Sequence, residues 1–531
     1  MNNIQSLDCT LRDGGYINKW NFRSPHITSI IKYLNEAKID IIECGYLNQN
    51  APNNVDSTIF NSIEAAVNYL PTESNAKYVL MINLGEYDVE KIEHRQSNDI
   101  FGFRIVFKKE QWVEAIKYAE ALIEKDYAVF IQPMMTINYS DEELLSLIHE
   151  INRIEPYACY IVDSFGVMKQ NDLLRLSYIF DHNLKSDIIL GYHAHNNLQL
   201  AFSNAQVFVE IMTKRKKIID SSVYGMGRGA GNLNTELFVQ YLNDNYDGDY
   251  CIEPLLKIID ESLSNIYQET YWGYSMPHYL SAVYYCHPNY ASYLVEKNTL
   301  RIDDLKNVIS NIEESKKGIF NKVYIEELYQ QYQNNSYNDE VSIKELKESV
   351  SGQEVLLLGP GKSIVDQKLK IDKFIELHKP IIISVNFESK VYEENLIFIS
   401  NTKRYQLFNG DLNNNNVILT SNIENNGDYK VNYKSLLTDN LAVSDNSLLM
   451  ILNLLKKLDI KRVNLAGFDG YTVDSTNNYA NIDLIFTQNK NRLLNLNQEI
   501  SSELIKLSSE MKIRFITSSL YEFNGVLSYS N

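Results

Sequence analysis

Through the first 225 residues, short apolar, β-branched runs alternate with segments whose apolar positions recur at helical spacing. The runs fall at 4–10, 39–46, 77–83, 101–107, 127–134, 158–164, 188–194 and 218–225, and each reads as a strand. Between most of them the pattern predicts helices. One covers Ser24–Lys38, with Ser24 as N-cap and Pro25 at the first helical position. Another covers Gln111–Lys125. A third covers Ser140–Asn152, opened by Ser140 with Glu143 three residues on, a capping-box pattern. Eight strands alternating with helices fit an α/β fold, either a closed (β/α)8 barrel or a doubly wound sheet. The count of eight in about 225 residues favours the barrel.

The polar residues point the same way. Asp13, Glu43–Tyr46, Gln132, Asp163–Ser164, His193–His195 and Gly225–Arg228 all fall at the C-terminal ends of predicted strands. In a barrel those ends converge on one face, where active sites are built.

Beyond the eighth strand, residues 226–250 read as a Gly-rich loop and a helix, which closes a barrel domain at 1–250. Residues 251–345 are expected to be a helical extension and linker, rich in aromatics, with the polar stretch 330–340 as the linker itself. The extension offers a surface for a homodimer. A second domain, 346–531, is expected to be a Rossmann-like α/β sheet. Its strands are predicted at 355–358, 381–385, 396–399, 417–420, 462–466 and 513–517, and its helices at 364–378, 446–458 and 490–510. The Asn-rich stretch 409–427 reads as a surface loop around the short strand 417–420.

Composition excludes several classes. With 50 basic against 68 acidic residues the net charge is −18, which disfavours nucleic acid and anionic membrane surfaces as partners. Five dispersed cysteines, without a Cys-x-x-Cys pair, read as reduced thiols rather than a disulfide framework or a zinc ribbon. No leader-like segment opens the chain and no uncharged apolar run reaches the length of a membrane span. The expectation is a cytoplasmic protein with no membrane span.

The chemistry lies in two segments about 180 residues apart, the distance from one strand end to another in an alternating fold. Residues 8–16 read Asp-Cys-Thr-Leu-Arg-Asp-Gly-Gly-Tyr, and residues 193–196 read His-Ala-His-Asn. On a strand, positions i and i+2 face the same side, so His193 and His195 present both imidazoles together. Asp13 at the end of another strand adds a carboxylate. One carboxylate with two imidazoles is a divalent-metal set with positions left for substrate oxygens. With no thiolate ligand, Mn2+ or Mg2+ is favoured, with Co2+ and Zn2+ as alternatives. Arg12 beside the set suits an anionic, oxygen-rich substrate. The loop Gly225-Met-Gly-Arg-Gly-Ala-Gly-Asn232 follows the eighth strand, and Asn232 offers a further oxygen ligand.

Asp8-Cys-Thr-Leu-Arg-Asp-Gly-Gly, His193-Ala-His-Asn-Asn-x-x-x-Ala201 and Gly225-x-Gly-x-x-x-Gly-Asn232-x-x-x-Glu236 occur in that order. Together they resemble the metal-dependent pyruvate aldolase/HMG-CoA lyase/isopropylmalate synthase superfamily of TIM barrels, over residues 1–240. Trp272-Gly-Tyr-Ser-Met-Pro-His-Tyr-Leu-Ser and His287-Pro288 further resemble the region after the barrel in 4-hydroxy-2-oxovalerate aldolases. The resemblance implies that Asp13, His193 and His195, with Asn232 as an additional ligand, hold the ion. It implies that Arg12 stabilises a pyruvate-like enolate, and that the substrates are a small 2-oxo acid and an aldehyde. The aldolases carry a histidine base three residues after the metal-binding aspartate; here that position is Tyr16. Either Tyr16 or Glu43 is expected to take over proton transfer. Two other readings stand beside the aldolase: a Claisen-type synthase condensing a 2-oxo acid with an acyl-CoA, and a non-catalytic barrel scaffold with a C-terminal binding domain.

In the second domain the first strand runs into Gly359-Pro-Gly-Lys-Ser363. A Walker A loop would need Gly where Leu356 stands, which argues against a P-loop kinase. Gly359, Gly361, Lys362 and Ser363 are nonetheless expected to aim N–H groups at an anion on a helix N-terminus. The arrangement weakly resembles sialyltransferase-like and related nucleotide-sugar-binding proteins, which implies a nucleotide or nucleotide-sugar ligand.

Overall fold

All eight strands predicted before residue 225 form, each within a few residues of its expected bounds. The computed structural model describes residues 3–96, 100–408, 416–425, 427–472, 478–480, 490–521 and 527–528. By contacts the chain divides into two compact units, 1–288 and 289–531. In the first, the strands are β1 (Ile4–Asp8), β2 (Ile41–Leu47), β3 (Ile59–Phe60), β4 (Lys77–Asn83), β5 (Gly102–Phe107), β6 (Ala128–Pro133), β7 (Ala158–Asp163), β8 (Ile189–Ala194) and β9 (Lys217–Ser221). All pair in parallel in the order β1-β9-β8-β7-β6-β5-β4-β2, with β1 also pairing β2, so eight strands close into a barrel. The two-residue β3 is an addition that pairs only β2.

Alternation along each strand decides what faces inward. In β8, Ile189 belongs to the barrel interior, whereas Leu190 and Tyr192 pack in the layer between sheet and helices. His193 therefore shares the interior side with Ile189 and Gly191. The same parity puts Glu43 of β2, Arg104 of β5 and Asp220 of β9 inside, on the side of Ile41 and Ile218.

The helix Asp141–Ile154 begins as predicted. Ser140 Oγ accepts the Glu143 N–H at 3.2 Å, and the Glu143 carboxylate accepts the Ser140 N–H at 2.7 Å. A cap of this kind is worth about 1 kcal/mol. The first long helix departs from expectation by one position. It spans Ser24–Glu36, its N-cap is Arg23, and the Ser24 N–H is met by the Asp56 carboxylate at 2.9 Å rather than Ser24 itself serving as cap. With an external carboxylate already at the helix start, a capping hydroxyl is not required there.

Helices continue through 252–297 and 302–350. The stretch expected to be a polar linker is partly helical. The helix Lys322–Gln333 takes its first residues, and Gln333 is buried, its amide donating to the Tyr329 hydroxyl at 3.0 Å. Polar side chains satisfied internally can occupy a helix that composition alone reads as loop.

In the second unit all described strands pair in parallel: β10 (Val355–Leu358), β11 (Ile381–Val385), β12 (Leu396–Ile399), β13 (Asn416–Thr420), β14 (Tyr429–Val431), β15 (Arg462–Ala466), β16 (Lys512–Phe515) and β17 (Leu527–Ser528). Their order is β14-β13-β12-β11-β10-β15-β16-β17. The chain winds outward from β10 to one edge, then returns beside β10 and winds to the other, so the order reverses between β10 and β15. Val355 and Leu357 pack on one face with Leu449 and Ile451, and Leu356 and Leu358 on the other with Ile371 and Phe374. The helix expected at 364–378 is two helices, Ser363–Asp366 and Lys368–His378, broken at Gln367. Residues 409–415 of the Asn-rich stretch lie outside the described residues.

Candidate metal centre

Asp13, His193 and His195 come together at the C-terminal mouth of the barrel, each buried. One ligand atom from each lies within 4.8 Å of the others. His195 Nε2 is 3.8 Å from Asp13 Oδ2, and the two imidazole rings stand edge-on with centroids 5.2 Å apart. Burial, with the neighbouring His193, Arg228 and Arg12 charges, pushes the His195 pKa down to about 3 against the pull of Asp13. The ring is therefore neutral, the form that ligates. Burial opposes ionisation of Asp13, but His195, Arg12, His193 and Arg228 outweigh it and hold the carboxyl well below the usual carboxylate range.

His193 and Asp13 are each oriented from behind. His193 Nδ1 donates to Asp220 Oδ2 at 3.0 Å, which leaves Nε2 for an ion. Asp220 also takes an ion pair from Arg104, whose other arm reaches Glu43 Oε2 at 2.7 Å. Glu43 Oε2 in turn accepts from Arg12 Nε at 2.8 Å, and Arg12 Nη1 donates to Asp13 Oδ1 at 2.6 Å. The buried chain Asp13–Arg12–Glu43–Arg104–Asp220–His193 thus begins and ends on candidate ligands. Arg104 and Asp220 escaped the sequence reading. Each is a single charged residue in an apolar strand, and only the parity of β5 and β9 could have flagged them.

Asn232 is buried, and its Nδ2 donates to Asp13 Oδ2 at 2.7 Å. Its Oδ1, like His195 Nδ1, is buried with no hydrogen-bond partner among the described residues. Gly227 allows this approach. A Cβ there would stand 2.2 Å from Asn232 Nδ2 and 2.8 Å from Asp13 Oδ2. A carboxylate, two imidazoles and an unsatisfied amide oxygen fit a divalent ion of the Mn2+, Mg2+, Co2+ or Zn2+ group.

Above the cluster is a cavity of about 60 Å3 lined by Arg12, Tyr16, Tyr46, Gln132 and Arg228 together with Asp13 and both histidines. Tyr16 is 40% exposed, its hydroxyl 3.2 Å from that of Tyr46. The Arg228 guanidinium lies 5.3 Å from the Tyr16 ring centre, and its Nη2 donates to the Ser164 carbonyl at 3.0 Å. Glu43 has another place: it does not line the cavity, is fully buried, and serves two guanidiniums. Of the two expected bases, Tyr16 lines the cavity and Glu43 does not.

The second unit's Gly-x-Gly-x-Ser turn is also arranged differently from expectation. Gly359 N–H donates to the Ala466 carbonyl, Gly361 N–H to Gly467, and Ser363 N–H to the Asp469 carboxylate, each at 2.8 Å. A Cβ at Gly361 would stand 2.5 Å from the Gly467 oxygen, so the turn is glycine-rich because two loop backbones pack against each other. Asp469 occupies the place at the helix start where an anion was expected. Of Gly359, Gly361, Lys362 and Ser363, only Gly361 lines the neighbouring cavity.

Fold and site together define a (β/α)8 barrel with a buried Asp-His-His centre of metal-binding type at its C-terminal mouth. Residues 3–246 match the HMGL-like family model. A 4-hydroxy-2-oxovalerate aldolase from Geobacillus genomosp. 3 is 25% identical over 245 residues, covering 45% of this chain and 70% of the relative. An oxaloacetate decarboxylase from Mycobacterium tuberculosis is 25% identical over 272 residues, covering 49% and 75%. Among solved structures, the HMG-CoA lyase from Brucella melitensis superposes with a TM-score of 0.40 at 13% identity, covering 49% of this chain and 96% of that one. No helix among the described residues is long and apolar enough to cross a membrane.

Proposed function

We propose that the barrel is a divalent-metal-dependent carbon–carbon lyase acting on a 2-oxo acid, an aldolase that releases or consumes a pyruvate-type enolate. The observation that carries this reading is the buried Asp13–His193–His195 set with Arg12 alongside it in one cavity. The relatives named 4-hydroxy-2-oxovalerate aldolase and oxaloacetate decarboxylase support it, since both reactions leave a carbanion next to a 2-oxo acid.

Asp13, His193 and His195, with Asn232, would hold the ion, which when bound supplies Lewis-acid polarisation of the substrate's keto and carboxylate oxygens. Arg12 is immobilised through Nε by Glu43 and through Nη1 by Asp13, so its remaining edge meets negative charge growing on the keto oxygen without reorganising. Tyr16 relays the proton from the substrate's 4-hydroxyl, accepting it on its oxygen as its own hydroxyl proton passes to water at the open side of the cavity. As the carbon–carbon bond breaks, the oxygen becomes the aldehyde carbonyl and the bonding electrons pass to the 2-oxo acid as its enolate. Protonation at carbon completes the cycle. Tyr46 and Arg228 hold the Tyr16 ring and hydroxyl in place.

The test is exchange of pyruvate methyl protons with solvent deuterium, followed by NMR with Mn2+ or Mg2+ present. Exchange that stops with chelator and in Asp13→Asn is the expected result. Absence of exchange with all four candidate ions and several 2-oxo acids would sink the reading.

A further inference from the structure

The second unit carries a cavity of about 180 Å3 at the C-terminal ends of its strands. Its walls come from the loops after β10 (Gly361), β11 (Asn386), β12 (Asn401 and Arg404), β15 (Phe468 and Tyr471) and β16 (Tyr521). This is where the strand order reverses, between β10 and β15. In open parallel sheets the two flanking loops run in opposite directions at that point and leave a crevice, the usual ligand site of such folds.

The lining has a definite chemistry. Arg404 is buried, 6% exposed, with its guanidinium 5.4 Å from the ring centre of Tyr479, another lining residue. Lys297, the other lining cation, is committed to Glu326 at 3.0 Å and Asp445 at 3.2 Å. Asp469 is turned onto the Ser363 N–H. Asn298 lines the cavity, and its Nδ2 is buried with no partner among the described residues, a donor whose desolvation goes uncompensated until an acceptor arrives. Asn386 is held at φ +59° by its side chain, whose Oδ1 accepts the Ser400 N–H at 2.9 Å. That bond ties the ends of β11 and β12 together.

We propose that this crevice binds a phosphate ester of a hydroxylated ring, a nucleotide or a sugar phosphate, with the phosphate against Arg404. The planar guanidinium matches phosphate oxygens in pairs. The Asn298 amide and the tyrosine hydroxyls suit ring hydroxyls, and the tyrosine faces suit a sugar or base ring. The Gly359–Ser363 turn supplies none of these contacts, because its donors are spent on neighbouring backbone and Asp469. The site lies within the second unit and does not depend on the barrel's chemistry.

The test is calorimetric titration of the full chain with AMP, GMP, CMP, UMP, glucose 1-phosphate and inorganic phosphate, with adenosine, cytidine and glucose as phosphate-free controls. At least one ester is expected to bind, and which group binds separates nucleotide from sugar phosphate. Arg404→Gln should weaken binding at least tenfold. Ala442→Trp, which fills the cavity from its exposed rim, should abolish it. Asp13→Asn should leave it unchanged, so failure of the barrel's reading would not affect this result. Circular dichroism checks that each variant is folded; should Arg404→Gln unfold, the rim variant decides. The proposal is overturned if no ester binds at millimolar concentration. It is equally overturned if the phosphate-free controls bind as tightly as the esters, or if the folded variants bind like the parent.

Discussion

Asp220 accepts the Nδ1 proton of His193 at 3.0 Å while pairing with Arg104, so one carboxylate fixes both the tautomer of a candidate ligand and the position of a buried guanidinium. Such partners behind a metal-binding histidine usually change ion affinity by 10–100-fold. Asp220→Asn keeps an acceptor near His193 but removes the charge. Its affinity for Mn2+, measured by calorimetry on the full chain, is expected to fall by about 10–100-fold. Unchanged affinity would mean that Asp220 serves only the barrel's packing.

Arg104 is fully buried and pairs with both Glu43 and Asp220. Removing one partner of a buried ion pair leaves charge without compensation and costs about 3–5 kcal/mol. Arg104→Met should therefore lower the barrel's stability by about that amount. Tryptophan fluorescence in urea reads this unit selectively, because all three tryptophans, Trp20, Trp112 and Trp272, lie within residues 1–288. A shift smaller than about 1 kcal/mol, the worth of an ordinary exposed pair, would contradict the buried network.

Tyr16→Phe removes the hydroxyl proposed to take the substrate proton and leaves the ring against Trp20. Loss of a general base lowers turnover by about 10²–10⁴-fold. The expected pattern is that drop in aldol cleavage with metal affinity intact. Cleavage at the parent rate would exclude Tyr16 from proton transfer.

Asp8 gives a pH dependence of opposite sign to most carboxylates. Burial raises its pKa to about 6, despite Thr235 Oγ1 at 2.7 Å and the Thr10 N–H at 2.9 Å. The folded barrel therefore holds this proton more tightly than the unfolded chain, and Asp8's contribution to stability falls as pH rises from about 4 to about 6. Asp8→Asn has nothing to ionise. The stability difference, variant minus parent, should grow over that interval by about 2–3 kcal/mol. A difference that stays flat would show that Asp8 titrates normally.

Much of the barrel and half of its site were legible before the structure. His193 and His195 share a face because the strand period is two, and Asp13 sits at the end of an apolar run. Those are local facts. Arg104 and Asp220 were not legible, because a lone charge in an apolar strand means nothing until the strand's neighbours are known. The same reason hid the fate of Glu43, which reads as a free carboxylate at a strand end and is in fact held between two arginines. In the second unit, glycines that read as an anion cradle are spaced for backbone packing against Gly467, a contact about a hundred residues away in the chain.

Period, capping and strand-end polarity thus determined the alternating α/β architecture, the eight strands and the residues of the candidate ligand set, since each depends on residues a few positions apart. Only the tertiary structure decided which charges neutralise one another, which hydroxyl meets the cavity, and where the second sheet opens a crevice. Those outcomes depend on barrel closure and strand order, which bring together residues tens to hundreds of positions apart and decide for each buried charge which partner it has.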